Sequence, residues 1–406
     1  MAEESSRKDH RDIGRELDLF SFHEIAPGAP FWHPRGMSIF RELEKAVRQM
    51  NDEDGYQEIS TPILVRKEVF EKSGHWDHYR QNMFYFENPR EEKEILVAKP
   101  MNCPESTYVF NAQVRSYRDL PLRLAEIGRL NRNELSGTLG GLFRVRQITM
   151  DDAHLYTRPD QTKEEVVNIV ERLDKFYRMF GFETSYVLAT RPADGSLGTE
   201  EEWRMAEEAL EEALKRSGVK YTVAKGEGAF YGPKVEAHLK DSQNREWQMG
   251  TAQLDLVMLP KQFDVAYTDE DGSRKAPWVI HRAILGSFER FIGVLLEHTD
   301  GSLPLWLSPV QAAVITISDK QQQWAQAVKH KLMHAGIRVE LHDQNETLGK
   351  KIRNAEMQKI PYLLVIGDKE VEAQTAAVRK RGAGDMGALG VDTILAQLRE
   401  EIELKK

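Results

Sequence analysis

Arginine, acidic and histidine side chains that could bind phosphate groups or a metal ion are concentrated between residues 131 and 156. An Arg132-Asn133-Glu134 triplet precedes a loop with three glycines and then a run with strand character, 142–156. Because strand side chains alternate between faces, one face of this run would carry Leu142, Arg144, Arg146, Ile148, Met150, Asp152 and His154. This mixed face favours the floor of a polar pocket, and an exposed hairpin with solvated charges is the alternative.

Two stretches nearer the N-terminus hold residue types used in catalysis or metal binding. His75 and His78 alternate with aromatic residues directly after Gly74, and such clusters are also common surface or packing features. The only cysteine is Cys103. A lone cysteine is usually a small buried hydrophobic side chain, so a ligand or nucleophile role requires partners from elsewhere in the chain.

Two later stretches combine glycines with polar groups. Tyr231 and Lys234 belong to a glycine-rich segment, 226–234, where backbone could approach a ligand, although ordinary hairpin turns look similar. Arg290 lies in an apolar run after His281. A guanidinium in such surroundings requires a partner or an anion.

Length and composition indicate a soluble, multidomain globular protein. The chain has 406 residues, 30% of them charged, and a net charge of −9, which argues against a general DNA coat. Two or three domains are expected at about 150 residues each. The single cysteine fits a reducing compartment, and no apolar run reaches the roughly 18 residues needed to cross a bilayer. The polar N-terminus lacks the apolar core of a signal peptide. We therefore expect a cytoplasmic protein without a membrane partner.

Hydrophobic periodicity predicts the elements that would position these groups. Helices are expected over 38–50, 163–180 and 200–217, and an apolar helix is expected after His281 that contains Gly286, Ser287 and Arg290. Strands are expected over 56–59, 122–134, 142–156, 182–189, 235–239 and 247–259. The strands at 122–134 and 142–156 should form an antiparallel hairpin, and Gly250 allows a bulge. Residues 1 to about 20 are expected to be a flexible lead-in.

A smaller α/β domain should follow the Gly- and Pro-containing segment 301–309. Strands are predicted over 310–317, 337–341 and 362–366, and helices over 318–335, 349–358 and 391–404, the first opened by a Ser318/Gln321 capping box. Between 350 and 381, eight lysines and arginines stand against four acidic residues. This basic bias could attract a phosphate backbone, although a solvated helix face is the commoner explanation.

Four motifs occur in an order that resembles the threonyl-tRNA synthetases, a family of class II aminoacyl-tRNA synthetases. They are KPMNCPE (99–105), DDAHLY (151–156), GEGAFYGPK (226–234) and IHRAILGSFERF (280–291). The three class II motifs match 38–62, Arg132 to Glu134 with Arg144, and 286–291. The resemblance implies an α+β fold in three parts: a lead-in (1–20), a catalytic domain with an antiparallel sheet flanked by helices (21–303), and a C-terminal α/β anticodon-binding domain (304–406).

The resemblance also implies an activity: ATP-dependent activation of L-threonine to threonyl-adenylate, followed by transfer to threonine tRNA. The matching catalytic residues are Arg132, His75, Arg290 and Lys234. The matching ATP-binding residues, which would work with Mg²⁺, are Arg132, Glu134, Arg144, Gln248 and Arg290. The matching substrate-binding residues are Met101, Asp152, Tyr231, Gln253 and Ser287. Fixed guanidinium groups suit the negative charge that develops on the phosphates during the reaction.

The family binds one zinc ion per subunit, and the matching ligands are Cys103, His154 and His281. Three protein ligands leave zinc coordination open, and the family fills the opening with the amino group and hydroxyl of threonine. Valine has no hydroxyl and would be refused, whereas serine lacks only a methyl group, worth about 1–3 kcal/mol. The positions that match anticodon readers are Asn345, Arg353, Lys359, Glu370 and Arg379.

The sequence departs from the family at several places. We expect the chain to lack the small N-terminal domain and the editing domain that are usual in the family, in which case serine errors would be cleared in trans by a separate factor or tolerated. Asn131, Leu135 and Met150 replace residues common in the family, and Met150 could alter the adenylate pocket.

A homodimer is expected through the first motif. Two other functions stay open: an RNA-binding regulator that no longer charges tRNA, and a threonine-adenylating enzyme with another acceptor.

Overall fold

The computed structural model describes residues 8–91 and 93–405. Within them the chain forms two compact units. Of the described residues, the first comprises 8–21, 31–43 and 295–405, and the second comprises 22–30, 44–91 and 93–294. The domain limits expected at 20/21 and 303/304 stay a prediction.

The helices of the described residues are α1 (His10–Glu16), α2 (Pro34–Glu53), α3 (Lys67–Lys72), α4 (His75–Tyr79), α5 (Cys103–Asn111), α6 (Pro159–Arg178), α7 (Glu200–Ser217), α8 (Met258–Gln262), α9 (Phe288–Thr299), α10 (Gln322–His334), α11 (Leu348–Met357), α12 (Asp368–Ala373) and α13 (Val391–Glu403). The strands are β1 (Phe20–Phe22), β2 (Pro30–Trp32), β3 (Gln57–Glu58), β4 (Leu64–Arg66), β5 (Phe84–Glu87), β6 (Ile95–Ala98), β7 (Arg115–Ser116), β8 (Leu122–Asn131), β9 (Gln147–Thr157), β10 (Glu183–Ala189), β11 (Tyr221–Ala224), β12 (Lys234–Lys240), β13 (Glu246–Asp255), β14 (Tyr267–Thr268), β15 (Arg274–Lys275), β16 (Trp278–Ser287), β17 (Ala312–Thr316), β18 (Val339–His342), β19 (Tyr362–Ile366), β20 (Thr375–Lys380) and β21 (Gly384–Gly390). No helix within these ranges is both long and apolar enough to span a bilayer.

An eight-stranded sheet organises the larger unit, in the order β11-β10-β12-β13-β16-β9-β8-β3. Its inner pairs are antiparallel, and β3 and β11 pair in parallel with their neighbours at the two edges. The expected hairpin of β8 and β9 is confirmed, with Asn131 opposite Gln147 and Leu122 opposite Tyr156. The central strands β9 and β16 thereby place residues from distant parts of the sequence side by side.

Two amphipathic helices of the larger unit turn apolar faces inward. Helix α6 buries a valine, isoleucine, leucine and aromatic stripe at helical spacing. Helix α7 has the predicted bounds, because a Thr199/Glu202 capping box starts it and Gly218, in the left-handed conformation, ends it. Strand β13 contains a bulge, in which Met249 and Gly250 lie opposite the single residue Ala237 of β12. A bulge at Gly250 was predicted.

The smaller unit contains a five-stranded sheet in the order β18-β17-β19-β20-β21. Strands β17, β18 and β19 are parallel, and β20 and β21 continue the sheet antiparallel. Apolar residues of β17, β19, β20, α10 and α13 form its core. The predicted capping box of Ser318 and Gln321 is present. Because strands β17 to β19 alternate with helices α10 and α11, the expected α/β organisation of this unit is confirmed.

The expectation of a flexible lead-in up to residue 20 is wrong for the described part. Residues 1–7 lie outside the described residues, but α1 begins at His10 with Asp9 as its N-cap. Ile13, Leu17 and Leu19 are buried. Their apolar burial gives this short segment a fixed place within its unit.

Two predicted elements of the larger unit need correction. The strand expected from 142 begins at Gln147, because residues 140–146 fold as turns, so Arg144 and Arg146 leave the shared strand face. Ile148, Met150, Asp152 and His154 remain in the alternating strand register. The apolar stretch from Arg282 to Ser287, predicted as helix, continues strand β16 instead. A strand covered on both faces is as continuously apolar as a buried helix, so periodicity does not separate them.

Candidate active site

The three predicted metal ligands meet on the central strands. His154 on β9 and His281 on β16 are direct cross-strand partners, and their ring centroids lie 4.9 Å apart. Cys103 stands at the first position of α5. One ligand atom from each of the three residues lies within 4.8 Å of the other two, and all three side chains are buried.

The free nitrogens of the two histidines suit a bound metal ion. His154 Nε2 and His281 Nδ1 are buried and have no hydrogen-bond partner. The other ring nitrogen of His281, Nε2, lies 3.2 Å from Asp255 Oδ2. A carboxylate on the second nitrogen of a metal-binding histidine fixes the tautomer and the ring direction. Sequence reasoning missed Asp255, because nothing in its neighbourhood indicates that it meets His281.

Burial gives the ligand atoms unusual proton affinities. It lowers the pKa of His154 to about 4, against the opposing effect of Asp152. Burial, together with Asp152, raises the pKa of the Cys103 thiol well above its ordinary value. A neutral imidazole is ready to bind a cation, whereas a buried thiolate needs a cation beside it. One thiolate and two imidazoles are donors that suit Zn²⁺.

Polar groups predicted to bind a substrate surround the triad. Tyr231, whose ring lies 5.0 Å from that of His281, donates a hydrogen bond from its hydroxyl to Gln253 Oε1. Asp152 Oδ2 accepts a hydrogen bond of 3.1 Å from Asn102 Nδ2. Met101 packs against the apolar cluster that contains Cys103. Asn102 was not predicted, although its neighbours in the KPMNCPE motif were.

An open cleft of about 480 Å³ adjoins this pocket and brings all five predicted ATP-binding residues together. The predicted residues along its wall are Arg132, Glu134, Arg144, Gln248, Gln253, Ser287 and Arg290. Met150, noted above as a departure, also lines it. Because Gln253 belongs to this wall and accepts from Tyr231, the cleft and the metal triad are parts of one continuous site.

Backbone carbonyls fix the arginines of the cleft. Arg132 Nε donates to Pro100 O at 3.1 Å, and Arg290 Nε donates to Phe143 O at 3.0 Å. Arg144 pairs with Glu134 at 2.7 Å. Burial lowers the pKa of Arg290, and the neighbouring charges of Arg144 and Arg132 lower it further. An anion between these guanidinium groups would relieve their repulsion.

Two predicted catalytic residues lie outside the cleft wall. His75 is buried, with Nδ1 2.8 Å from Ser73 Oγ and its ring against Phe230 of the glycine-rich segment. Burial and the nearby His281 lower its pKa to about 3, so the ring is neutral. Lys234 forms an ion pair of 2.6 Å with Glu236 and pairs across strands with Gln253. His75 therefore adjoins the site through Phe230, and Lys234 adjoins it through its cross-strand partner Gln253.

The predicted anticodon residues are spread over the smaller unit. Asn345 follows β18 and Glu370 follows β19, at the carboxyl ends of parallel strands. Arg353 is exposed on α11 and Arg379 is exposed on β20. Lys359 precedes β19 at the opposite end, where it pairs with Asp300 at 3.0 Å. Their role as base readers stays a prediction.

Two family models match this chain. The tRNA synthetase class II core domain (G, H, P, S and T) matches residues 84–299, and the anticodon binding domain matches residues 311–401. These matches agree with the α+β organisation of the larger unit and with the α/β sheet of the smaller one.

Curated relatives share about half of the residues of this chain. The threonine–tRNA ligase of Carboxydothermus hydrogenoformans is 50% identical over 403 residues, which is 98% of this chain and 63% of the relative. That of Caldanaerobacter subterraneus subsp. tengcongensis is 49% identical over 405 residues, 100% of this chain and 62% of the relative. The chain thus spans less than two thirds of the length of these relatives.

Crystal structures of two similar proteins superpose on almost the whole chain. The RNA binding domain of threonyl-tRNA synthetase from Cryptosporidium parvum has a TM-score of 0.91 at 39% identity, covering 97% of this chain and 98% of its own. A putative threonyl-tRNA synthetase from Aeropyrum pernix has a TM-score of 0.85 at 30% identity, covering 98% and 97%. Prolyl-tRNA synthetase from C. parvum, at 18% identity and a TM-score of 0.73, covers 97% of this chain and 75% of its own and shares the fold.

Proposed function

This chain belongs to the threonyl-tRNA synthetase family of class II aminoacyl-tRNA synthetases, and we propose that it activates L-threonine with ATP and transfers it to threonine tRNA. One observation carries the proposal: the triad of Cys103, His154 and His281 adjoins an arginine-lined cleft, because Gln253 of the cleft wall is the cross-strand partner of His281. A metal pocket for an amino acid beside a site for a polyphosphate is the arrangement that amino acid activation requires.

The arginines of the cleft act on the nucleotide in the first step. The carboxylate oxygen of threonine attacks the α-phosphorus of ATP, the bond from that phosphorus to the bridging oxygen of the β-phosphate breaks, and pyrophosphate leaves. Mg²⁺ bound with ATP would supply further positive charge to the phosphates. Arg132 orients the carboxylate and the α-phosphate, and Arg144 and Arg290 bind the outer phosphates. Because backbone carbonyls already hold Arg132 and Arg290, little reorganisation accompanies the charge that develops.

The triad supplies amino acid selection in this proposal. Cys103, His154 and His281 would hold Zn²⁺, and a zinc ion with three protein ligands would supply open coordination positions for the amino group and the hydroxyl of threonine. Asp152, oriented by Asn102, accepts the hydroxyl proton. Valine cannot make this hydrogen bond, whereas serine can, so valine is rejected more strongly than serine.

His75 and the smaller unit serve the second step. The terminal ribose hydroxyl of tRNA attacks the threonyl carbonyl, and AMP leaves. The neutral imidazole of His75 assists proton removal through the neighbouring ribose 2′-hydroxyl. The residues proposed to contact the anticodon are Asn345, Arg353, Lys359, Glu370 and Arg379, and cytoplasmic threonine tRNA is the partner that we propose.

ATP–pyrophosphate exchange and tRNA charging test the proposal and separate it from its alternatives. We expect exchange with threonine, weaker exchange with serine and none with valine, and then charging of threonine tRNA. An RNA-binding regulator would show no exchange even with zinc present. An enzyme with another acceptor would show exchange without charging. Either result would refute the proposed function.

The first class II motif, α2 and β3, is the surface that we assign to a second copy of the chain. Sedimentation equilibrium tests this part of the proposal. A dimer is expected at micromolar concentration, and a monomer under conditions where threonine exchange is active would contradict it.

A further inference from the structure

Strand β16 contains an irregularity beside the nucleotide cleft. Ala283 is the cross-strand partner of Asp152, and Ser287 is the next partner, opposite Met150. Ile284, Leu285 and Gly286 therefore stand against the single residue Asp151. Bulges of this kind change the direction of the side chains that follow, and they are common beside active sites.

The side chain of Asp151 fills the irregularity. Its two carboxylate oxygens accept hydrogen bonds from Ile284 N at 2.8 Å and Leu285 N at 2.9 Å. These N–H groups lie where β9 has too few residues to pair with them, so the carboxylate takes the place of strand backbone. Asp151 is buried, and Arg282 Nη1 lies 3.6 Å from its Oδ2.

A second buried side chain holds the bulge through its carbonyl. The hydroxyl of Tyr177 on α6 donates to Ile284 O. Gly286 then takes a φ of +69°, and an added Cβ would lie 2.8 Å from Met249 O. The path of the chain through the bulge is consequently fixed by contacts on both sides.

The residues that leave the bulge belong to the nucleotide cleft. Gly286, Ser287 and Arg290 all line it. Ser287 Oγ accepts from Arg290 N at 3.1 Å and so starts α9. A change in the bulge would therefore rotate the start of α9 and the guanidinium of Arg290 together.

We propose that Asp151 is a positioning residue for the nucleotide: its carboxylate holds the β16 bulge, and the bulge directs Ser287 and Arg290 into the cleft. Asp151 thus differs in role from the adjacent Asp152, which faces the amino acid pocket. The inference rests on the proposed function for the assignment of the cleft to ATP. It assigns Asp151 to ATP binding and not to threonine or metal binding.

Asp151→Asn tests the inference, because the amide can accept from one backbone N–H but opposes the second with its own N–H. Exchange assays are run at about pH 8, above the pKa of Asp151, which burial raises to about 7. We expect the KM for ATP to rise and kcat to fall, together on the order of 10- to 100-fold in kcat/KM. The KM for threonine and the zinc content should stay within about twofold.

Tyr177→Phe provides a milder change on the other side of the bulge and guards against misfolding of the first variant. It should shift the same ATP parameters in the same direction by a smaller factor. Glu165→Gln is the matched control: Glu165 is also buried and hydrogen-bonded, to Arg123. This control should leave the ratio of the two KM values unchanged.

Unchanged ATP parameters in both Asp151→Asn and Tyr177→Phe would overturn the inference. Equal losses for ATP and threonine, or loss of zinc, would also overturn it, because they indicate a merely structural role. If the unmodified protein shows no exchange, the proposed function fails separately, and binding of a non-hydrolysable ATP analogue replaces the assay. Weaker analogue binding by Asp151→Asn would then support the inference, and equal or absent binding would overturn it.

Discussion

Asp255 shows how a residue outside the triad can hold one of the proposed metal ligands in place. It holds His281 Nε2 while its two oxygens also accept the backbone N–H groups of Val257, Met258 and Leu259. Asp255→Asn should weaken zinc binding by about 10- to 100-fold, because the amide no longer favours one tautomer of His281 as a carboxylate does. Competition with a chromophoric chelator measures this affinity.

Asp241→Asn is the control for Asp255→Asn. Asp241 is also buried and accepts the backbone N–H groups of Gln243 and Arg245, but in another turn. Zinc affinity should not change in this variant. Equal zinc affinity in Asp255→Asn and the unmodified protein would remove Asp255 from the metal site.

Glu289 predicts a pH dependence of stability. Burial raises its pKa to about 7 from an ordinary value of 4.5, although Thr149 N donates to its carboxylate. The folded protein therefore holds this proton more tightly than the unfolded chain, and stability falls as pH rises from about 4.5 to about 7. Glu289→Gln removes this loss, so thermal unfolding should show the variant gaining roughly 1–3 kcal/mol relative to the parent across that window.

The exposed Glu24→Gln is a suitable control for this experiment, since Glu24 lies in a surface loop. Its stability should run parallel to that of the parent over the same pH range. A Glu289→Gln curve that also runs parallel to the parent would contradict the burial of an ionisable carboxyl group at this position.

Sequence reasoning found the residues that motifs mark and missed those that only the fold brings in. Cys103, His154 and His281 lie far apart in sequence, and their assignment came from the family resemblance. Asp255 lies outside the quoted motifs, and Asn102 and Asp151 lie inside motifs that gave them no role. Their hydrogen bonds join segments that a linear pattern cannot relate, so only the cross-strand register identifies them.

At the scale of elements, Gly286 links backbone conformation to the nucleotide cleft. Gly286→Ala places a side chain at φ +69° and a Cβ 2.8 Å from Met249 O, at a cost of about 1–3 kcal/mol. We expect lower thermal stability and a higher KM for ATP. Gly349→Ala is the matched control in α11, where an added Cβ meets nothing within 4 Å. It should be neutral or stabilising by up to about 1 kcal/mol.

A Gly286→Ala protein with unchanged stability and ATP kinetics would show that the bulge tolerates another path. That result would also weaken the positioning role of Asp151, because both residues fix the same turn of the chain.

Elements with clear start and stop signals were predictable, and continuous apolar or glycine-rich runs were not. Helix α7 matched its predicted bounds because its cap and its final glycine are explicit in sequence. Between Arg282 and Ser287 the residues Ala283 to Leu285 are apolar on both faces, a pattern that a buried helix and a central strand share. The hairpin of β20 and β21 was missed, because its glycines are typical of a loop. In the structure β20 is held by backbone pairing with β19, and the sequence does not show this pairing.

At the scale of the molecule, the proposed function divides its two steps between the units. Arg379 is exposed on β20, far along the chain from the cleft residues. Arg379→Ala should lower kcat/KM for charging of threonine tRNA on the order of 10-fold, because a base or phosphate contact is lost. Threonine-dependent exchange should stay the same. Arg399→Ala, exposed on α13, is the control and should change neither assay.

Equal charging by Arg379→Ala and the parent would contradict the anticodon assignment for this residue. A parallel loss of exchange would contradict the division of labour between the units.

The α/β organisation of the smaller unit followed from alternating strand and helix signals. The expected lead-in failed because a few buried apolar residues, Ile13 in α1 and Leu17 and Leu19 after it, suffice to fix a short segment that looks polar in sequence.

Diffraction at the zinc absorption edge, from crystals grown with threonine and without chelator, tests whether the triad binds zinc. We predict one anomalous peak per chain, about 2.3 Å from Cys103 Sγ and about 2.0–2.1 Å from His154 Nε2 and His281 Nδ1. The amino group and hydroxyl of threonine should complete the coordination. An absent peak, or a peak that lacks these three ligands while threonine occupies the pocket, would contradict the account.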